Sequence, residues 1–270
     1  MPKFLVLGDT HGKTEHVIKA CRIAKRYECD FIVQLGDWGF IWKHWNKKTG
    51  RLENLANALA QFDQKMYFLD GNHDDHDELA RLGAAHDAPG FVELHERVFY
   101  MPRGFAWDWD GVRFMSLGGA FSVDIDPDDE ADWPGRVIGV VYWLNETISD
   151  EEVERAKSRG KIDVLLTHDA PSTQDLNNIM MSGPFLRRRM NSKTDRESLI
   201  NRLKINDVIE VCQPALVMHG HFHYRYAGLW RYDTVVHGLD RDGQGKESWM
   251  VLDTATMLAE VEDNRKKLIS

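Results

Sequence analysis

Apolar positions along this chain gather into five runs, at 4–7, 31–35, 66–69, 162–166 and 215–218, that are mostly apolar without strict alternation. Such runs read as strands buried on both faces, since a strand with one wet face shows a polar residue at every second position. Between the first three lie patterns of helical period. Val17, Ile18, Cys21 and Ala24 predict a helix over about 14–27, and Leu52, Leu55, Ala56, Leu59 and Phe62 predict a second. A third, short helix is expected to begin near Asp74 or Asp75. A strand–helix–strand series needs crossovers, so the first three strands are expected to run parallel, with their carboxyl ends at one edge of a sheet.

The pattern changes over 91–117, where short β segments succeed one another and Asp110-Gly111 between 105–109 and 112–117 signals a hairpin. This reads as the start of a second sheet. Residues 118–148 are acidic, rich in Gly and Trp and poorly periodic, and are expected to form a long surface loop; a second is expected over about 170–193. Ser149 with Glu152 makes a capping box for a helix to about 158, and Thr194 with Glu197 makes another for a helix to about 212. Aromatic and β-branched runs broken by Gly over 224–253 read as closing strands. With no internal repeat and no linker rich in Pro, Gly and Ser, residues 1–270 are expected to form a single domain.

Composition narrows the function classes. An apolar fraction of 43% with 29% charged residues suits a globular protein with a sizeable core. The net charge of -9 argues against a non-specific grip on nucleic acid, while leaving a nucleotide in a local pocket open. Cys21, Cys29 and Cys212 are too few and too scattered for a disulfide framework or a zinc cage, which points to a reducing interior. The chain starts directly with a strand and no run reaches membrane-spanning length, so a cytoplasmic protein without membrane partners is expected.

The residues placed directly behind each apolar run carry the chemistry: Asp9-Thr10-His11, Gly36-Asp37, Gly71-Asn72-His73-Asp74, Thr167-His168 and Gly220-His221-Phe222-His223. Ligands in open α/β sheets gather beyond the carboxyl ends of the strands, so these side chains are expected to meet in one crevice. Carboxylate and imidazole together suit Mn, with Fe, Co or Zn as alternatives, rather than Mg. Asp37 is the best candidate to bridge two ions about 3.5 to 4 Å apart, and Asn72 would add a neutral oxygen. Two divalent cations less the charges of Asp9 and Asp37 leave the loaded pocket at roughly +2, which suits a phosphate ester. A water between such ions would lose a proton near neutral pH and attack phosphorus in line. His73 is the candidate acid for the leaving oxygen, and Asp74 either orients it or caps the following helix.

The series D-x-H, G-D, G-N-H-D, H and G-H-x-H, in this order from Asp9 to His223, resembles the calcineurin-like metallophosphoesterase superfamily, and within it the class III cyclic-nucleotide phosphodiesterase pattern. The resemblance implies a four-layer αββα sandwich of two mixed β-sheets flanked by helices. It implies that Asp9, His11, Asp37 and His223 hold one metal, that Asp37, Asn72, His168 and His221 hold a second, and that His73 is the catalytic acid. Two departures stand out. Many members carry an Asp three residues after the Gly-Asp carboxylate to orient the catalytic His, where this chain has Phe40; the partner of His73 is left unassigned. Members acting on phosphorylated proteins carry Arg at the places of Ile41 and Asp70. A diester monoanion needs fewer cations than a monoester dianion, so the reading leans to phosphodiesters, of nucleotides or cyclic nucleotides. A broad phosphomonoesterase or nuclease with the same centre is the alternative, and a non-catalytic scaffold of the same fold comes third.

Several residues admit a plainer reading. Gly8, Gly36, Gly71 and Gly220 are expected to serve tight turns that aim the ligands. His219, like His16, His44, His76, His86, His95 and His237, is expected to be structural. Trp38, Trp42 and Trp45 are candidates to wall a substrate pocket or to pack on the protein, and Arg187, Arg188 and Arg189 to form a phosphate lid or a solvated charge run. Trp107, Trp109 and Trp133 are expected to pack under long loops, and exposed aromatics leave a homodimer open.

Overall fold

The computed structural model describes residues 1–41, 51–122, 142–182, 192–231 and 233–260. In chain order the first elements are β1 (Lys3–Leu7), α1 (Thr14–Arg26), β2 (Phe31–Leu35), α2 (Arg51–Gln61), β3 (Met66–Leu69) and α3 (His76–Arg81). Then come β4 (Val92–His95), β5 (Val98–Tyr100), β6 (Phe105–Trp109), β7 (Val112–Leu117), α4 (Asp150–Lys157) and β8 (Val164–Thr167). The last are α5 (Gln174–Ser182), α6 (Ser192–Cys212), β9 (Leu216–His219), β10 (Tyr226–Trp230), β11 (Thr234–Gly238), β12 (Trp249–Asp253) and β13 (Leu258–Glu260).

The strands form two mixed sheets, one in the order β13-β12-β1-β2-β3-β5-β4 and the other β10-β11-β9-β8-β7-β6. β1, β2 and β3 pair parallel, as their crossover helices require. The apolar runs lack alternation because each strand feeds two cores. Phe4 and Val6 of β1, Val33 and Leu35 of β2, Val164 and Leu166 of β8, and Leu216 and Met218 of β9 meet between the sheets. Leu5, Leu7 and Ile32 point the other way, under α1 and α2 with Val17, Cys21, Leu55 and Leu59. On the far side Leu165 and Val217 pack with Val153 of α4 and Ile205, Val208 and Ile209 of α6. Period-2 side-chain direction on strands covered on both faces thus produces the four layers.

Local signals placed most elements. Ser149 and Glu152 close the capping box at the start of α4, and Asp110 and Gly111, both at positive φ (53° and 89°), turn the β6–β7 hairpin. Three expectations are corrected and one alternative is settled. The stretch 170–193 is not all loop, because α5 lies within it. α6 begins at Ser192, which puts Thr194 inside the helix instead of at its cap. Of the two readings open to it, Trp38 takes packing on the protein: it is fully buried and stacks on Phe68 of β3 at 3.9 Å. Trp107 and Trp109 lie on β6 and pack in the aromatic edge of the inter-sheet core, with Phe91 and Phe114, instead of under a loop. Trp42, Trp45, Trp133, His44 and Arg187, Arg188 and Arg189 lie outside the described residues.

Candidate metal centre

Every strand that precedes a motif ends at the same edge, where the carboxyl ends of β1, β2 and β3 face those of β8 and β9. The turn after β2 is built first. Gln34, buried at the end of that strand, donates to the carbonyls of Gly8 and Gly36 and accepts from the N–H of Gly36, which ties the turns after β1 and β2 together. The carbonyl of Asp37 accepts from the N–H of Thr10 and of His11, at 3.2 and 2.8 Å. Asp74 then fastens the third turn, its carboxylate accepting from the N–H of Trp38, Gly39 and Gly71 at 3.1, 2.7 and 2.8 Å. Its two oxygens are therefore committed to backbone. Asp74 does not cap α3; Asp75 does, accepting from the N–H of Glu78.

Within that frame His11, Asp37, His221 and His223 all sit at positive φ (44°, 51°, 65° and 55°), a region that costs a non-glycine residue energy and persists only when the surroundings enforce it. Gly36, at φ 90°, serves a turn as expected, and the other motif glycines have a different role. Gly8, Gly71 and Gly220 are absent from the positive-φ positions, yet a Cβ there would strike the Asp240 carbonyl, the Asp37 carboxylate and the Asp9 carboxylate respectively. At Gly36 it would strike the His168 ring. Gly36, Gly71 and Gly220 thus make room for the candidate ligand side chains, and Gly8 for the backbone at Asp240.

Asp9, His11, Asp37 and His223 bring one ligand atom each to within 4.8 Å of one another. His223 Nε2 lies 2.9 Å from an Asp9 oxygen and His11 Nε2 3.5 Å from Asp37 Oδ2. On the other side of Asp37, His168 Nε2 lies 3.2 Å from Oδ1 and 3.1 Å from the Asn72 carbonyl oxygen, with the His221 ring centred 5.1 Å from that of His168. Asp37 therefore presents one oxygen to each half of the set. The imidazoles are oriented from behind: His168 Nδ1 bonds the Leu35 carbonyl at 2.7 Å, and His11 Nδ1 faces Asp242 at 2.7 Å. A metal-bound imidazole needs this kind of outer partner to direct its remaining lone pair. His221 Nε2 is buried without a hydrogen-bond partner, a cost that a bound cation would remove. The residues present fit a pair of divalent ions.

The electrostatics agree. Burial works against ionised Asp37, but His168, His73 and His11 outweigh it and hold its carboxyl well below the usual range. Burial likewise lowers His168 and His11, yet Asp37, together with Asp242 in the case of His11, raises both to about 10. Without metal, protons occupy the places that cations would take. His73 lies beside the pair, its backbone N–H donating to Asp37 Oδ1 at 2.8 Å and its ring centred 6.4 Å from that of His11. His219 is structural as expected, bonded to the Tyr226 hydroxyl and the Gly220 carbonyl.

Sequence reasoning missed Asp242, Ser122, Glu146 and Arg103. Asp242 lies 231 positions from His11 in an ordinary turn, so nothing local marks it. Arg103 is 1% exposed and gives its guanidinium to Asp70, Glu152 and the carbonyls of Asn145, Glu146 and Thr147. That contact places the 142–148 segment against the turn after β3.

Comparison with known proteins points the same way. The sequence model described as calcineurin-like phosphoesterase matches residues 2–225. No curated protein matches the sequence. Among solved structures, a protein from Thermus thermophilus is similar over 100% of this chain and 99% of its own, with a TM-score of 0.60 at 12% identity. A dimetal phosphatase from Danio rerio is similar over 97% of this chain and 96% of its own, with a TM-score of 0.57 at 10% identity. At such identities these likenesses speak for the fold alone.

Proposed function

Because the chain belongs to the calcineurin-like phosphoesterase family, we propose that it hydrolyses phosphodiesters, with nucleotides or cyclic nucleotides as the substrate class, using two divalent ions of which Mn is the favoured kind. The observation that carries this reading is Asp37, whose two oxygens face two separate groups of ligand side chains. Asp9, His11 and His223 complete one group, and Asn72, His168 and His221 the other. Two divalent ions bound there supply Lewis acidity, generating a nucleophile from water near neutral pH and stabilising charge on the phosphoryl oxygens.

The protein's own groups do the rest. Asp242 and the Leu35 carbonyl hold the His11 and His168 rings in place. His73, fixed through its backbone to Asp37, gives a proton from its ring to the leaving oxygen, and so is needed most when that oxygen is strongly basic. Ile41 and Asp70 stand where a monoester-directed site would place arginines. Arg103, beside Asp70, is buried and occupied, so it brings no cation to a dianion. A small diester is thus the substrate we assign. All three cysteines are buried and free, which supports a reducing cytoplasmic setting, and among the described residues no helix is long and apolar enough to cross a membrane.

The test is turnover of a model diester and a model monoester after chelation and resupply of Mn. The reading expects metal-dependent activity with a higher kcat/KM for the diester. Preference for the monoester would overturn the substrate assignment, and metal-dependent turnover of neither would favour a scaffold.

A further inference from the structure

Among the proposed ligand side chains, Asn72 is the one whose two ends have the same shape and opposite polarity. A carboxylate offers oxygen from either side, and the His11 and His168 rings are fixed by their own outer partners, but an amide turned by 180° presents N–H donors to a cation. Something must therefore fix the Asn72 amide. The Asn72 Nδ2 donates to the Ser122 hydroxyl oxygen at 3.1 Å, leaving Oδ1 facing His168. Ser122 is fully buried, its N–H donates to Glu146 Oε1 at 2.8 Å, and its hydroxyl faces the same carboxylate. Held there, the hydroxyl turns a lone pair to the Asn72 amide nitrogen and accepts from it. The chain Asn72 to Ser122 to Glu146 thus keeps the amide nitrogen on the Ser122 side.

Glu146 is itself anchored. Its second oxygen accepts from the N–H of Trp143 at 3.2 Å, and its carbonyl accepts from Ala120 N–H and Arg103 Nη2 at 3.0 and 3.1 Å. A Cβ at Gly119, where φ is +89°, would meet that carbonyl at 2.6 Å, so the crossing of the two segments is tight. We propose that Glu146 is a positioning residue that, through Ser122, holds the Asn72 amide with its oxygen toward the second metal position and thereby sets the affinity of that position. This rests on the two-ion reading of the site.

Calorimetric titration of Mn into the metal-free full chain, with thermal melts to confirm folding, tests it. The wild type should take up two ions. Ser122→Ala should retain the first and bind the second about 10- to 100-fold more weakly, the usual effect of losing an outer-shell partner. Glu146→Gln, close to isosteric, should move the same way, and it carries the test if Ser122→Ala does not fold. In an Asn72→Asp background both ends of the side chain are oxygen, so Ser122→Ala should change second-ion affinity by less than about twofold. A loss shared equally by both ions, a loss undiminished in the Asn72→Asp background, or wild-type affinity in the folded variants would overturn the proposal. Uptake of fewer than two ions by the wild type would overturn the two-ion reading, and the proposal with it.

Discussion

At the scale of single residues, the site is a convergence of buried carboxylates and imidazoles whose polar atoms meet at one spot. Asp37 is buried with three histidines around it, and His11 and His168 are raised to about 10 although burial opposes their charge. A ligand imidazole must give up its proton to bind metal, so ion affinity should fall as pH falls, and loading at pH 7 should release about two protons per chain. Calorimetry in buffers of different ionisation enthalpy measures that number; no release would mean that these rings are not ligands. Asp242→Asn should leave the fold intact and weaken ion binding about 10- to 100-fold by loosening His11. His73→Ala should keep its metal and lose activity mainly on diesters with poor leaving groups, and equal loss on good ones would contradict its role as acid. The side chains that cluster here were legible in the sequence because each stands just behind an apolar run. Asp242 and Glu146 were not, since an acidic residue in a turn or a low-periodicity segment carries no mark of the partner that folding brings to it.

At the scale of elements, the turns carry the precision that the strands only make available. The strands could be placed from their apolar runs because burial on both faces removes every reason for alternation. The turn geometry could be foreseen only in outline: the glycines were recognisable, but their reason is close approach between turns, a tertiary fact. Gly71→Ala should show this, because the added carbon meets the Asp37 carboxylate and, at 2.7 Å, His168 Nε2. A stability loss of about 1–3 kcal/mol is expected for such overpacking, with metal content falling below that of the wild type. Normal loading would contradict the crowding argument. Thr194 shows the opposite failure, and Trp38 takes one of the two places open to it. A sequence-perfect capping box lost to a helix that extends two residues further back, whereas the Trp next to Asp37 packs in the core on Phe68 and Phe40. Burial of aromatic area outweighs proximity to a site.

At the scale of the whole molecule, two sheets that share one core bring ligands from opposite ends of the chain to one edge, and a buried polar network secures the crossing behind it. Asp70, Arg103, Glu152, His76 and His86 form that network. Burial pushes His76 down to about 3, so between pH 6.5 and 3 the unfolded chain binds a proton that the folded chain refuses. The contribution of this group to stability therefore rises with pH through that window. Glu152 adds to this: burial opposes its charge, but Arg103 outweighs it and holds the carboxyl at about 2, so its contribution is complete above 4.5 and fades toward 2. As pH falls from 6.5 toward 3, the wild type should therefore lose melting temperature relative to His76→Gln; a constant difference between the two would contradict the assignment. The central claim concerns the ions themselves. Elemental analysis of the active protein combined with anomalous diffraction should find two divalent cations per chain, one on either side of Asp37, and a site that is catalytically active with neither position filled would contradict the account.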